Sequence, residues 1–385
     1  MKQPNGSLSV GFLYDDTLDS SDGVSQYVKT LGAWLSKRGH KVSYLVGETE
    51  SLEWAGGKIF SLSKNLRMRW AGNRMSISLI PEINKINRLM KADKFDVLHV
   101  QVPYSPFMSQ LVINRAAPST AVIGTVHVFP SGWLSRFGSK LLRIIYAKSL
   151  KRFDSMLSVS SAAQLYAKEE FNIDTFVSPN VINLKAFKSK PVRESGYGRK
   201  IVFLGRLVKR KGCDHLIKSF QQISDQFPDA RLLIAGDGPD RKRLENLARE
   251  LGISDKTTFL GSVSEDEKIR ILGSADVACF PSLYGESFGI VLIEAMAAGA
   301  KVVLGGNNPG YSSILGSQKE LLVEPRDIDA FTSRLKKLLS DKKLVSRLHR
   351  WQLAEVTKYD VDVVGPKIEA IYRRSIANRV KSRHN

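Results

Sequence analysis

Cysteine is almost absent: Cys213 and Cys279 are the only two in 385 residues. Neither sits in a metal-ligand spacing, which argues against a disulfide scaffold or a zinc domain and fits a reducing cytoplasm. Long apolar runs are also missing. Residues 8–14 are too few for a signal peptide and run into Asp15 and Asp16, and the most apolar segment, 288–304, contains Glu294 and Lys301. No segment is therefore expected to span a bilayer, and any membrane association has to be peripheral. A repeat of 20–50 residues is lacking, as is the Walker pattern Gly-x4-Gly-Lys-Ser/Thr. No Gly-x-Gly-x-x-Gly fingerprint follows a first strand, so nicotinamide binding has little support.

Negative charge is scarce too. Against 58 Lys+Arg stand 38 Asp+Glu, a net charge of +20, and a surplus of that size predicts an anionic partner: nucleic acid, membrane or phosphorylated substrate. Its distribution is uneven. Residues 55–152 hold 16 basic and 3 acidic residues, a net of +13, while residues 1–54 are net −2. Two stretches interleave cations with apolar residues. Residues 136–152 carry six cations, including Lys140 and Arg143, among Phe137, Leu141, Ile144, Ile145 and Tyr146 near helical spacing. Residues 64–70 alternate Arg67 and Arg69 with Leu66, Met68 and Trp70, and Arg74 follows. Such stretches suit anionic headgroups, each cation near the surface contributing about 1 kcal/mol; a helix with a solvated basic face is the alternative.

What remains reads as an ordinary globular chain, 43% hydrophobic and long enough for two domains. Strand patterns at 8–14, 41–46, 96–100, 121–126, 155–159 and 175–177 alternate with helical ones, the first a stripe of Val24, Tyr27, Val28, Leu31 and Leu35 closed by Gly39. The pattern weakens over 186–199, a linker composition. A second series follows, with strands at 201–204, 231–235, 257–260, 277–280 and 302–304. The expected domains are 1–185, the linker 186–199, a second domain 200–360, and a last helix and basic tail over 361–385. The fold class is α/β: two Rossmann-like, doubly wound domains facing a central crevice, where ligands bind at the carboxyl ends of the strands.

Three clusters bear on chemistry. Residues 285–299, beginning Gly285-Glu286-Ser287-Phe288-Gly289-Ile290, follow a strand and open a helix, so N–H groups near Ser287 to Ile290 offer an anion site. Glu286 precedes that helix and Glu294 lies two turns in; carboxylates beside an anion site suit neutral hydroxyls, as on a sugar or a ribose. Residues 205–212 place Arg206 and Lys211 after a strand, the first able to grip phosphate with two bonds and the second a point charge. Gly236-Asp237-Gly238-Pro239 reads as a structural turn. His127 follows the strand 121–126, where an imidazole can hydrogen-bond a substrate hydroxyl or stabilise developing charge.

Gly-Arg-x4-Lys-Gly at 205–212, Gly-Asp-Gly-Pro at 236–239 and Glu-Ser-Phe-Gly-Ile-Val-Leu-Ile-Glu at 286–294 resemble the retaining glycosyltransferases of family 4, with the GT-B fold. Within that family the chain looks most like bacterial phosphatidylinositol mannosyltransferases, notably over 289–299 and at Asp96-Val97-Leu98-His99. The resemblance implies a nucleotide-diphosphate sugar as donor, GDP-mannose or a UDP-sugar, and no tightly bound cofactor. It places the diphosphate on Arg206 and Lys211, the sugar on Glu286, the ribose on Glu294 and the nucleobase near Val263 and Lys268. Gly23 matches the glycine loop that approaches phosphate and acceptor, and His127 the active-site histidine. Lys85 and Arg88 fall near the basic membrane helix of the mannosyltransferases. The family's paired glycines are here Asp22-Gly23, an added acid beside that loop.

These implications describe an enzyme on the inner face of the cell membrane, with an anionic lipid as acceptor and docking surface. Diacylglycerol, a polyprenyl-linked sugar or a soluble sugar remain alternative acceptors. No carboxylate pair has evident metal-ligand geometry, so no metal site is expected and the need for Mg2+ stays open. Nucleic acid is the weakest partner, since neither a recognition-helix pattern nor an aromatic single-strand platform is present.

Overall fold

The computed structural model describes residues 6–20, 22–70, 73–103, 105, 108–127, 149–188 and 198–381. By contact the chain divides into two units, residues 1–181 with 361–385, and residues 182–360.

The first unit is built on ten strands: β1 (Ser9–Tyr14), β2 (Lys41–Val46), β3 (Glu53–Trp54), β4 (Gly57–Ser61), β5 (Ser63–Trp70), β6 (Asn73–Pro81), β7 (Val97–Gln101), β8 (Ala121–Val126), β9 (Ser155–Ser158) and β10 (Phe176–Val177). Eight form one sheet in the order β10-β9-β8-β7-β1-β2-β4-β3, parallel except for the β3–β4 pair. The interior strands are continuous apolar runs because helices cover both faces; all six residues of β8 are buried. The stripe of helix Gly23–Lys37 packs inward through Tyr27, Val28, Leu31, Trp34 and Leu35, each side chain so buried contributing about 1.5–3 kcal/mol. Helix Val361–Lys381 shares that core through Val364, Ile368 and Tyr372, and Trp34 Nε1 donates to Asp362 at 2.9 Å.

Residues 64–70 are not helical. They lie in β5, which pairs with β6 as a separate antiparallel hairpin. The alternation of cations with apolar residues has a period of two, the strand period. Residues 128–148, which take in most of the 136–152 stretch, lie outside the described residues.

The second unit holds β11 (Lys200–Leu204), β12 (Arg231–Ala235), β13 (Thr257–Gly261), β14 (Val277–Phe280), β15 (Val302–Gly306) and β16 (Leu322–Val323). They form one sheet in the order β13-β12-β11-β14-β15-β16, with every pair parallel. The connection order reverses between β11 and β14, and in the first sheet between β1 and β7. At such switch points the loops leaving the carboxyl ends diverge and open a binding site.

Candidate active site

In the second unit the loops after β11 and β14 carry the charged cluster. Gly212, at φ 68°, joins them: a Cβ there would lie 2.1 Å from the Pro281 carbonyl oxygen, so only glycine fits. Leu283 N–H donates to the Arg210 carbonyl at 2.8 Å, and Leu207 N–H to Asp237 O at 2.9 Å ties the loop to the Gly236–Pro239 turn. These bonds bring Glu286 onto the basic loop. Its Oε1 accepts from Lys211 Nζ at 2.7 Å and from Arg210 Nη1 at 2.9 Å.

Electrostatics follow from that packing. Burial favours the neutral form of Glu286, but Lys211 and Arg210 outweigh it and hold the carboxyl below its usual range. Lys211 is the perturbed partner: burial pushes its pKa down, Glu286 opposes the shift, and Arg210 and Arg206 add to it. Two cations on one carboxylate, with Arg206 near enough to act on Lys211, make the cluster positive on balance and suited to an anionic group such as a diphosphate diester.

Helix Ile290–Ala298 starts at this cluster. Gly289 is its N-cap at φ 103°, where no side chain caps the helix and a Cβ would meet the Tyr311 ring at 2.5 Å. Ser287, Gly289 and Ile290 are half-buried at this end. The Phe288 side chain is core, 3% exposed with its ring edge-on to Tyr359 and the centroids 5.6 Å apart, so a donor contact at this residue falls to its backbone N–H. Deeper in, Lys268 Nζ bridges Glu294 Oε1 at 2.7 Å and Glu265 Oε2 at 2.6 Å. Here the imbalance is reversed. Burial raises the Glu294 pKa, and one lysine shared by two carboxylates does not bring it back. Val263 is half-buried one residue before Ser264, whose side chain caps helix Glu265–Gly273.

The first unit carries the other candidates. His127 follows β8 directly, with Nε2 2.7 Å from Gln101 Oε1 and its ring 5.1 Å from that of Tyr27. Burial pushes its pKa down to about 3, and that of His99 likewise, so both are neutral near pH 7. The unfolded chain titrates these groups near pH 6.5 and the folded chain near 3. Stability is thus fully present above about pH 6.5 and is lost as pH falls, by on the order of 1 kcal/mol per pH unit for each histidine. Unfolding free energies measured between pH 6 and 4 should fall less steeply in His127→Gln than in the parent; equal slopes would contradict a buried neutral His127.

Gly23 is the first residue of its helix, and Asp22 is the N-cap, its Oδ1 accepting from Val24 N at 2.8 Å and Ser25 N at 3.1 Å. The added acid therefore has a structural job, capping the N–H groups of the first helical turn. Of the cations expected at a lipid surface, Arg67 and Arg69 occupy alternate positions of β5, and Arg69 and Trp70 lie opposite Arg74 and Asn73 of β6. Lys85 is ion-paired with Glu82 at 2.9 Å on helix Ile83–Ala92, and Arg88 Nε donates to Asn84 O at 3.4 Å. Lys140 and Arg143 lie outside the described residues. Among those residues no helix is long and apolar enough to cross a membrane, and no group of three or more His, Cys, Asp or Glu could hold a metal ion.

Sequence reasoning brings Arg206, Lys211 and Glu286 into one site but does not single out Arg210 or Gln101. Arg210 is one of three consecutive cations, and its partner lies 76 residues away. Gln101 ends an apolar strand, where a buried amide is the one signal available.

Two family patterns match the chain: Glycosyltransferase Family 4 over residues 21–186 and Glycosyl transferases group 1 over residues 185–351. A phosphatidyl-myo-inositol mannosyltransferase of Mycolicibacterium smegmatis is 30% identical over 377 residues, covering 95% of this chain and 93% of the relative. Among solved structures, a glycosyltransferase from Rickettsia africae superposes with a TM-score of 0.77 at 18% identity, over 96% of this chain and 99% of that one. An Anabaena protein, HepE, solved in complex with UDP and glucose, superposes with a TM-score of 0.75 at 16% identity, over 95% and 100%.

Proposed function

The chain belongs to the family 4 glycosyltransferases, with the GT-B fold, and on that premise we propose that it transfers mannose from GDP-mannose to phosphatidylinositol at a membrane surface. The observation that carries this reading is the Glu286 site: a carboxylate gripped by Arg210 and Lys211 after β14 and β11, in a chain that aligns over 95% of its length with a phosphatidyl-myo-inositol mannosyltransferase.

In this reading the donor diphosphate lies on Arg206, Lys211 and the N–H groups from Ser287 to Ile290. Glu286 accepts hydroxyls of the sugar and Glu294 those of the ribose, with Val263 and Lys268 beside the base. As the bond from the anomeric carbon to the phosphate oxygen breaks, negative charge builds on the leaving diphosphate. Cations already fixed by Glu286 stabilise that charge without reorganising. The acceptor oxygen attacks from the same face, its proton passes to the departing phosphate oxygen, and the new glycosidic bond keeps the donor configuration. On the acceptor side His127 and the loop at Gly23 hydrogen-bond reacting groups. Arg67, Arg69, Trp70, Arg74, Lys85, Arg88, Lys140 and Arg143 meet an anionic bilayer, the inner face of the cell membrane.

The test uses the whole protein with radiolabelled GDP-mannose, UDP-glucose and UDP-galactose, each offered to vesicles with or without phosphatidylinositol. Label from GDP-mannose should enter the organic-soluble fraction only when phosphatidylinositol is present. Transfer from a UDP-sugar alone would overturn the donor, and transfer to vesicles lacking phosphatidylinositol would overturn the acceptor.

A further inference from the structure

Beneath Glu286 the loops after β14 and β15 meet in a buried polar contact. Ser282, two residues past the end of β14, is 1% exposed, and Tyr311, on helix Pro309–Leu315, is equally buried. Their hydroxyl oxygens lie 3.2 Å apart. Asn308, the N-cap of that helix, holds both residues by the backbone: its Oδ1 accepts from Tyr311 N–H at 3.0 Å, and its Nδ2 donates to the Ser282 carbonyl at 3.0 Å. The Tyr311 ring fits because glycine stands on two sides of it; a Cβ on Gly289 or on Gly305 would meet the ring at 2.5 and 3.0 Å. Burying a phenol there costs desolvation of its hydroxyl, a cost that phenylalanine in the same slot avoids.

Hydrogen-bond capacities set the direction of the contact. Besides Arg210 and Lys211, the Glu286 carboxylate has the Ser282 hydroxyl as a hydrogen-bond partner. An ionised carboxylate only accepts, so Ser282 directs its single hydrogen there. Its oxygen must then accept from Tyr311, whose phenol stays protonated because burial and the nearby Glu286 charge both raise its pKa. The donors therefore run from Tyr311 to Ser282 to Glu286. Arg210 and Lys211 share a single carboxylate oxygen, Oε1, and a carboxylate held at one atom can pivot about it. The Ser282 hydroxyl is the third anchor, and it restricts that pivot. Three donors on a group with about four acceptor positions leave one open for a substrate hydroxyl.

We propose that Tyr311 is a positioning residue of the donor site: acting through Ser282, its hydroxyl fixes the Glu286 carboxylate in the orientation that leaves one acceptor position for the sugar. The proposal rests on Glu286 serving the transfer reaction. Tyr311 is itself enclosed, so its influence on the reaction passes through Ser282 and Glu286. A carboxylate freed to pivot keeps its charge and its two cations, so nucleotide binding survives. What suffers is alignment with the reacting sugar, and small misplacements at a reacting centre lower the rate steeply.

The test is a double-variant cycle on the whole protein, run with whichever of GDP-mannose, UDP-glucose and UDP-galactose supports transfer. Three quantities are read: kcat, affinity for the matching nucleoside diphosphate, and the melting curve. Tyr311→Phe keeps the ring and removes only the hydroxyl. It should lower kcat about 3–10-fold, the effect of one hydrogen bond, with nucleotide affinity near parental and the fold intact. Ser282→Ala removes the donor to the carboxylate itself and should lower kcat on the order of 10–100-fold. Because Tyr311 acts through Ser282, adding Tyr311→Phe to Ser282→Ala should lower kcat no further. Parental kcat in Tyr311→Phe, or losses that add in the double variant, overturns the positioning role. Parental kcat in a folded Ser282→Ala protein overturns it as well, and decides the matter if Tyr311→Phe fails to fold. Glu286→Ala separates the two levels. Parental transfer in that variant means that the role of Glu286 itself fails, whereas an inactive Glu286→Ala beside an unimpaired Tyr311→Phe removes only the role of Tyr311.

Discussion

Glu286→Ala is expected to lower the turnover number for sugar transfer by about 10²–10³-fold, the loss typical of removing one preorganised electrostatic group from an active site. The geometry further predicts how kcat and KM divide. Glu286 is the shared counter-ion of Arg210 and Lys211, so without it two largely buried cations face the donor uncompensated. The diphosphate should bind at least as tightly, and KM for the donor should stay level or fall while kcat collapses. Lys211→Ala makes the opposite split: Glu286 keeps Arg210, the site loses one positive charge, and donor KM should rise together with the fall in kcat. Glu286→Gln separates charge from hydrogen bonding, since the amide retains one acceptor oxygen but leaves both cations unbalanced. Melting curves of each variant guard against misreading instability as lost catalysis, because breaking a buried ion pair costs roughly 3–5 kcal/mol. Steady-state kinetics near parental values in a folded Glu286→Ala protein would exclude this carboxylate from the reaction.

That split turns on Arg210, and the sequence shows why it was hard to see. Residues 209–211 are Lys-Arg-Lys, three cations in a row, and nothing local distinguishes Arg210, which reaches Glu286 beside Lys211, from the exposed Lys209. The selection is made by tertiary packing, by Gly212 against Pro281 and by Leu283 on the Arg210 carbonyl. By contrast the second series of strands was legible nearly to the residue, because each is an apolar run between turn residues. Helix Glu265–Gly273 follows the third of these strands, its start fixed by a capping box of Ser264 and Glu267.

The first unit was less legible where charge and periodicity competed. Asn65 to Trp70 alternates polar and apolar residues in strand fashion, yet its cations point to an anionic headgroup surface before they point to a hairpin. Phe288 shows a related limit on what a motif says of a side chain. Its neighbours Glu286 and Ser287 belong to a loop that faces the site, but at Phe288 the chain is already turning into the helix, and its ring drops into the core beside Tyr359. A motif fixes which residues are close in sequence; which side of the backbone each side chain takes is set by packing.

Lys268→Met should produce the largest loss of stability among single changes at this site. Lys268 is buried and is the shared cation of Glu294 and Glu265; Glu294 is buried with it, whereas Glu265 is about half exposed and can turn to water. Removing the lysine strands Glu294, and an uncompensated buried charge costs roughly 3–5 kcal/mol. The pH dependence identifies the cause. Burial already raises the Glu294 pKa with Lys268 present, and without the lysine it must rise further. A carboxyl with a folded pKa above its unfolded value binds more protons folded than unfolded between the two, so stability falls as pH rises through that window. Lys268→Met should therefore be least impaired near pH 5 and most impaired near pH 8, and Lys268→Met with Glu294→Gln should recover much of the loss at pH 8. Thermal unfolding of the single and double variants at both pH values checks this. A loss independent of pH, or no recovery in the double variant, would show that Lys268 acts through packing of its aliphatic stem and that Glu294 is free to take a ribose hydroxyl without it.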